Sequence, residues 1–324
     1  VRAFITGASG FIGTHLVNRL LADGWEVRVI IHKHPLRALP RLEAVTGDLA
    51  DSARLVKSLQ KTQTVFHLAS ALGSSLIPEK EFQTVNAAGT EAVLRAASEA
   101  GVKTVVHFSS AGVLGHVLEP RPVDETYPPQ PVDAYDRSKL EGERIALEYA
   151  RRGQDVRVIR PGWVYGPGDR RTLKVIRAVA RRRMPMVSKG QALQSPVYID
   201  DLIQGTLLCR DRGRRGEIYH LAGPEVVSIK DLVSAIARAA GVRPPRMRLP
   251  VPSARAAAWI LDKLFRPFKK EAPLTPSRLA FFLRSKPLDI GKAERELGYR
   301  PRVGIEEGMS LTLDWYRRNG WLQP

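Results

Sequence analysis

The stretch Thr6-Gly7-Ala8-Ser9-Gly10-Phe11-Ile12-Gly13 decides how this chain of 324 residues folds. It follows a short apolar run, Val1–Ile5, and opens an amphipathic one, Ile12–Leu21. A strand that turns through glycines straight into a helix leaves free N–H groups at the helix start, where a phosphate is held. Gly7 permits the tight turn. Gly10 lets the backbone approach a pyrophosphate, and Gly13 lets the helix lie close to the sheet.

Further apolar runs recur at Val27–Ile31, Ala44–Val45, Thr64–Leu68, Val102–Phe108 and Val156–Ile159, separated by helical patterns such as Asn86–Ala100. Continuous Val/Ile-rich runs are those of strands covered on both faces. The alternation predicts an α/β fold, a doubly wound parallel Rossmann sheet over residues 1–165. After Pro161 the pattern changes. Prolines at Pro244, Pro245, Pro250 and Pro252, then Pro267, Pro273 and Pro276, cut the chain into short helices. Residues 166–324 read as a smaller, mostly helical substrate-binding part, with helices at Val226–Ala240 and Ile305–Tyr316. The chain returns to the sheet near 193–222, where Tyr219–Leu221 reads as a strand.

Composition narrows the function. The hydrophobic fraction of 44% is that of a globular protein. No apolar run reaches the roughly 18 residues that span a bilayer, and the chain opens on a strand without a basic leader, so no secretory signal is expected. The single cysteine, Cys209, excludes a disulfide framework and a cysteine-rich metal site and fits a reducing cytosol; no metal is expected. The net charge is +18, which nucleic acid, an anionic membrane or an acidic ligand would each match. The charge is uneven. Residues 1–162 carry 20 basic and 18 acidic side chains; residues 163–324 carry 31 and 15. No zinc spacing, helix-turn-helix pattern or basic–aromatic strand supports nucleic-acid binding. Residues 238–286 hold 12 basic and 2 acidic side chains around the apolar segment Ala256–Phe268, a composition open to peripheral membrane contact or to a solvated cover.

Glycines spaced three and three, in this context, resemble the extended short-chain dehydrogenase/reductase superfamily, which includes the NAD-dependent epimerases and dehydratases. The resemblance covers nearly the whole chain. It extends through Gly47-Asp48-Leu49, His67-Leu68-Ala69-Ser70, Asn86 with Gly89-Thr90, the run from Arg160 to Gly168, Tyr198-Ile199-Asp200-Asp201 and Leu297-Gly298-Tyr299-Arg300-Pro301. It implies that Gly7, Ser9, Gly10, Phe11 and Ile12 hold a dinucleotide, that Asp48 and Leu49 flank its adenine, and that Ala69 and Ser70 line its path. Pro161, Gly162 and Val164 would meet the nicotinamide end. The alternative for Asp48 is the cap of a helix from Ser52, and His67 reads as a buried strand histidine. Asn86 matches a structural or proton-relay asparagine of the family, or caps a helix.

Cofactor choice is read after the second strand, where an acid would favour NAD. Here stand His32 and Lys33, with Arg37 soon after and no acid. Cations can contact a 2′-phosphate, so NADP is expected ahead of NAD.

Tyr135 and Lys139 stand four apart, on one face of a helix. A nearby ammonium favours the phenolate, which suits a tyrosine for proton transfer to a carbonyl oxygen or from an alcohol. The resemblance adds Ser110, five places before Gly115, as donor to the substrate oxygen, with Ser109 as the alternative or as a strand-end cap. It casts Tyr135 as general acid/base and Lys139 as its modulator and the ribose anchor. Ala111 and Gly112 stand where related dehydratases carry an Asp-Glu pair. Gln194 stands where epimerases carry an arginine, and Leu114 replaces a family tyrosine; Arg170 and Arg171 could substitute for that arginine.

The C-terminal pattern resembles most the 3β-hydroxysteroid and sterol dehydrogenases and dihydroflavonol-reductase-like enzymes. That implies a bulky apolar small-molecule substrate, walled by Trp259, Ile260, Leu261, Leu264, Phe265 and Phe268 with Phe281 and Phe282, or else these residues are ordinary core. Sugar-nucleotide epimerisation and a catalytically silent nucleotide-binding regulator are the alternatives. The family also implies a homodimer through helices such as Glu91–Ala100 and Leu140–Arg151.

Overall fold

The structure is a computed structural model, described here for residues 1–32, 36–72 and 76–322. Strands β1 (Arg2–Thr6), β2 (Glu26–Ile31), β3 (Leu42–Thr46), β4 (Thr64–His67), β5 (Thr104–Phe108) and β6 (Val156–Pro161) form where the apolar runs stand. Four short strands follow: β7 (Trp163–Tyr165), β8 (Met186–Val187), β9 (Leu193–Gln194) and β10 (Pro196–Tyr198). Then comes β11 (Ile218–Leu221), the expected return, which pairs with β6. Among the described residues, β1–β6 and β11 make one sheet in the order β11-β6-β5-β4-β1-β2-β3, with all pairs parallel. The order reverses between β1 and β4. In such sheets the crevice for a ligand opens at the carboxyl ends of the strands flanking that reversal.

Helices α1 (Phe11–Ala22), α2 (Ser52–Leu59), α3 (Glu79–Phe82), α4 (Gly89–Glu99) and α5 (Ala134–Arg151) accompany the sheet, with a π-helical turn Gln83–Ala88 leading into α4. Val65, Phe66, Val105 and Val158 are fully buried between layers, as continuous apolar strands require. After β7 come α6 (Arg170–Ala180), α7 (Ile199–Arg212), α8 (Ile229–Ala239), α9 (Val251–Phe265), α10 (Pro276–Leu283), α11 (Gly291–Leu297) and α12 (Ile305–Arg318). The expected helix from Val226 starts later, at Ile229. Val227–Ser228 pairs instead with β9, and Ser228 accepts from Asp231 N to cap α8.

Two contacts set the architecture of the cleft. At the first turn Gly7 adopts φ +71°, and a Cβ there would stand 2.7 Å from Ala69 N. A Cβ on Gly13 would stand 2.2 Å from Gly7 O, so the third glycine admits the turn itself rather than the sheet. The second contact fastens α5. Glu143 and Arg160, each 2% exposed at the side chain, pair at 2.6 Å, with a second bond from Arg160 Nε at 2.9 Å. Ser109 Oγ donates to the same carboxylate at 2.6 Å. A helix and the ends of β5 and β6 thus share one buried carboxylate.

Truncating Glu143 leaves the Arg160 charge buried and unpaired, which costs about 3–5 kcal/mol. Urea unfolding of Glu143→Ala is expected to show that loss. A loss under about 1 kcal/mol would show that the pair does not fasten α5.

Candidate active site

One cleft of about 910 Å³ runs from the glycine turn to the first turns of α5. Gly7, Ser9, Gly10, Phe11 and Ile12 line its first part, and Ser70, Pro161, Gly162 and Val164 continue it. Gly10 precedes α1, whose first N–H groups face this space without intrahelical partners. The crowding around Gly7 and Gly13 brings bare backbone to the cleft wall, a cradle that side chains would fill. The residues present therefore fit a dinucleotide pyrophosphate. Gly162 is forced by the crossing chain: a Cβ there would stand 2.0 Å from Ser195 O.

Ala69 lies against Gly7 and donates its N–H to Thr6 Oγ1 at 3.1 Å. Ser70 Oγ donates to Asn86 Oδ1 at 3.0 Å. Asn86 also accepts from Ala71 N at 2.8 Å and donates to Ser138 Oγ at 2.9 Å. It lies inside the π-helical turn and caps nothing; it clamps the loop after β4 to α5. His67 is 1% exposed, bonded to Thr6 Oγ1 at 2.7 Å and Thr90 Oγ1 at 3.0 Å, and burial holds its pKa down to about 3. It is the strand histidine expected.

The other end of β2 holds a surprise. Asp48 does not cap α2; Asp51 does, accepting from Arg54 N at 3.0 Å. Asp48 accepts from Ala50 N at 2.8 Å and lies 3.4 Å from His32 Nε2. An acid from the loop after β3 therefore stands beside His32, just after β2, where sequence order shows no acid. Leu49 packs toward Gly89, Arg37 is exposed, and Lys33 lies outside the described residues.

Ser110, Tyr135 and Lys139 all line the same cleft. Asp133 caps α5 by accepting from Asp136 N at 2.9 Å, which starts the helix one residue before Tyr135. Lys139, 3% exposed, donates to Phe108 O at 2.5 Å, and burial brings its pKa down to about 8. Ser109 spends its hydroxyl on Glu143, whereas Ser110 Oγ accepts from Gly112 N at 3.0 Å and hydrogen-bonds Tyr135. Burial raises the Tyr135 pKa; the charge of Arg171 and the Ser110 bond pull against it. Among the cations, Arg171 acts most strongly on Tyr135. At neutral pH this tyrosine keeps its proton, the form needed to protonate a carbonyl oxygen.

Sequence reading named Arg171, Gln194 and Phe281 but missed Asp136, Arg284 and Lys286 at this end of the cleft. Asp136 is 3% exposed and points across Gly112, where a Cβ would stand 2.2 Å from its Oδ1. Burial raises its pKa to about 6 against the charges of Lys286 and Arg284. Arg171, Arg284 and Lys286 line the cleft and form no ion pair among the described residues. Gln194 donates to Phe281 O at 3.0 Å and Arg284 O at 2.7 Å, and so fixes the end of α10. Its amide in the late strand is the signal that could have found this role. Phe281 and Trp163, with ring centroids 5.4 Å apart, make an aromatic wall. The expected wall from Ala256–Phe268 is not there. Trp259, Ile260, Leu264 and Phe268 are 61%, 48%, 59% and 74% exposed on the outer surface, because α9 packs through its alanines; Leu261 and Phe265 are half-buried and do not line the cleft, and Phe282 packs on the core beside Phe281.

Comparison with known proteins agrees with this arrangement. The family described as NAD dependent epimerase/dehydratase matches residues 3–222. A 4-hydroxy-2-methyl-3-oxo-4-farnesyl-3,4-dihydroquinoline-1-oxide ketoreductase of Stigmatella aurantiaca is 31% identical over 319 residues, 95% of each chain. A 3beta-hydroxysteroid-dehydrogenase/decarboxylase of Arabidopsis thaliana is 28% identical, over 96% of this chain and 78% of its own. Among solved structures, a dTDP-glucose 4,6-dehydratase of Streptomyces venezuelae, with NAD and TYD bound, superposes with a TM-score of 0.80 at 30% identity, over 100% of this chain and 99% of that one. With the glycine cradle, the parallel sheet and the Tyr135–Lys139 helix in place, the chain belongs to the NAD dependent epimerase/dehydratase family and is an oxidoreductase of the extended short-chain type.

Proposed function

We propose that the protein reduces a keto group, or oxidises the corresponding alcohol, on a bulky and largely apolar small molecule. The observation that carries this reading is the convergence of Ser110, Tyr135 and Lys139 at the end of the cleft that begins at Gly7 and Gly10. The dinucleotide, when bound, supplies or accepts the hydride. Gly7, Ser9, Gly10, Phe11 and Ile12 would hold its pyrophosphate, Lys139 its ribose, and Pro161–Val164 the wall of its nicotinamide end. Tyr135 gives its proton to the substrate oxygen, and Ser110 orients that oxygen. Trp163 and Phe281 wall the apolar body of the substrate. The ketoreductase and hydroxysteroid-dehydrogenase relatives support this substrate class.

Sugar-nucleotide epimerisation is the second reading. Arg171, Arg284 and Lys286 favour it, because three cations that form no ion pair among the described residues, grouped around the reacting end, suit a diphosphate. Incubation with reduced cofactor separates the two. Net loss of nicotinamide absorbance with bulky ketones supports the first; interconversion of a sugar nucleotide without net loss overturns it. Binding without any turnover would leave a regulator.

Tyr135→Phe is expected to lower kcat about 100-fold or more at unchanged cofactor affinity, since general acid catalysis contributes roughly 10²–10⁴-fold. Full activity in that variant would remove Tyr135 from the mechanism. The Lys139 pKa near 8 sets a pH limit. The cation is present below that value and lost above it, so kcat/KM for reduction is expected to fall as pH rises through about 8. A profile flat to pH 10 would contradict it. His32, Lys33 and Arg37 favour NADP and Asp48 favours NAD. Asp48→Asn is therefore expected to raise the NADPH-to-NADH ratio of kcat/KM by about tenfold, in line with one charged contact of about 1.4 kcal/mol. An unchanged ratio would take Asp48 away from the ribose.

A further inference from the structure

We propose that the outer face of α9, with the turn Arg266–Phe268 after it, docks on the surface of an anionic lipid bilayer. The inner face of this helix is small. Ala254 and Ala258, one turn apart, are fully buried against Val187 and Leu279. That contact holds the helix, with Leu261 and Phe265 half-buried, and leaves three of its large apolar residues outward. Trp259, Ile260 and Leu264 project from about two turns, and Phe268 follows at 74% exposure. Arg255, Lys263, Arg266, Lys269 and Lys270 are exposed around them, and none forms an ion pair among the described residues. The Lys263 ammonium lies 5.8 Å from the Trp259 ring centre. Asp262 is the one acid on the helix, and Glu271 is engaged by Lys174 and Arg278.

Apolar side chains on one helix face, rimmed by cations and including a tryptophan, match the chemistry of a headgroup boundary. No helix among the described residues is long and apolar enough to cross a membrane, so the element lies in the plane of the surface. A second copy is a poor occupant. A two-fold contact through this face would set the same cations against each other, which is repulsive. The docked face is also one helix away from the cleft. Leu279 of α10 meets α9, while Ser277, Ala280 and Phe281 of α10 line the substrate end. The inference does not depend on which substrate the cleft takes.

The test is co-sedimentation of the full chain with vesicles. Phosphatidylcholine vesicles containing phosphatidylglycerol are expected to bind it, and phosphatidylcholine alone to bind at least about tenfold more weakly. Leu264→Asp/Phe268→Asp should lose about tenfold or more of the binding while it retains cofactor binding, which reports an intact fold. Brominated acyl chains should quench tryptophan fluorescence in the parent and not in Trp259→Phe. No sedimentation with anionic vesicles would overturn the proposal, as would equal binding by the double variant or quenching unchanged in Trp259→Phe. A doubled mass in solution that the double variant abolishes would instead assign the face to a second copy.

Discussion

The buried pair between Glu143 and Arg160 is the constraint on which the rest of the site depends. Its carboxylate takes two bonds from the guanidinium and a third from Ser109. A charge buried this deeply is tolerated only when it is paired and well hydrogen-bonded. The geometry follows from that requirement. Glu143 stands four residues after Lys139 and eight after Tyr135, so fixing it fixes one face of α5 over the ends of β5 and β6. Lys139 then reaches the Phe108 carbonyl, and Tyr135 reaches Ser110.

The electrostatics of the cleft run opposite to a simple picture of a lysine beside a tyrosine. Burial dominates both groups. It keeps Tyr135 protonated and brings Lys139 close to losing its proton near neutral pH. The cation that bears most on Tyr135 comes from the first turn of α6, where Asp169 caps the helix and Arg171 follows. The positive surplus of the C-terminal half thus divides. Part of it, Arg171, Arg284 and Lys286, turns inward to the substrate end. Another part rims the exposed face of α9.

The fold was legible because its signals are local. Gly7, Gly10 and Gly13 each answer a close contact within a few residues or at the next strand end, and the buried strands are continuous apolar runs. Tyr135 with Lys139 was legible for the same reason, since helical spacing is a local property. What could not be read lies between segments. Asp136 faces Gly112 from another element, Asp48 meets His32 across two strands, and Gln194 holds carbonyls about ninety residues away. The apolar residues of α9 misled for a physical reason. Their number suggested a pocket wall, but the helix packs mainly through two alanines, and Trp259, Ile260, Leu264 and the following Phe268 point away.

The central claim is that hydride leaves the cleft on a product whose oxygen Tyr135 has protonated. Its most direct measurement uses reduced cofactor deuterated at C4 of the nicotinamide and a bulky ketone, with the product examined by mass spectrometry and NMR. The account predicts one deuterium on the new carbinol carbon of each product molecule. Product without the label, or a sugar nucleotide interconverted while the label stays with the cofactor, would contradict it.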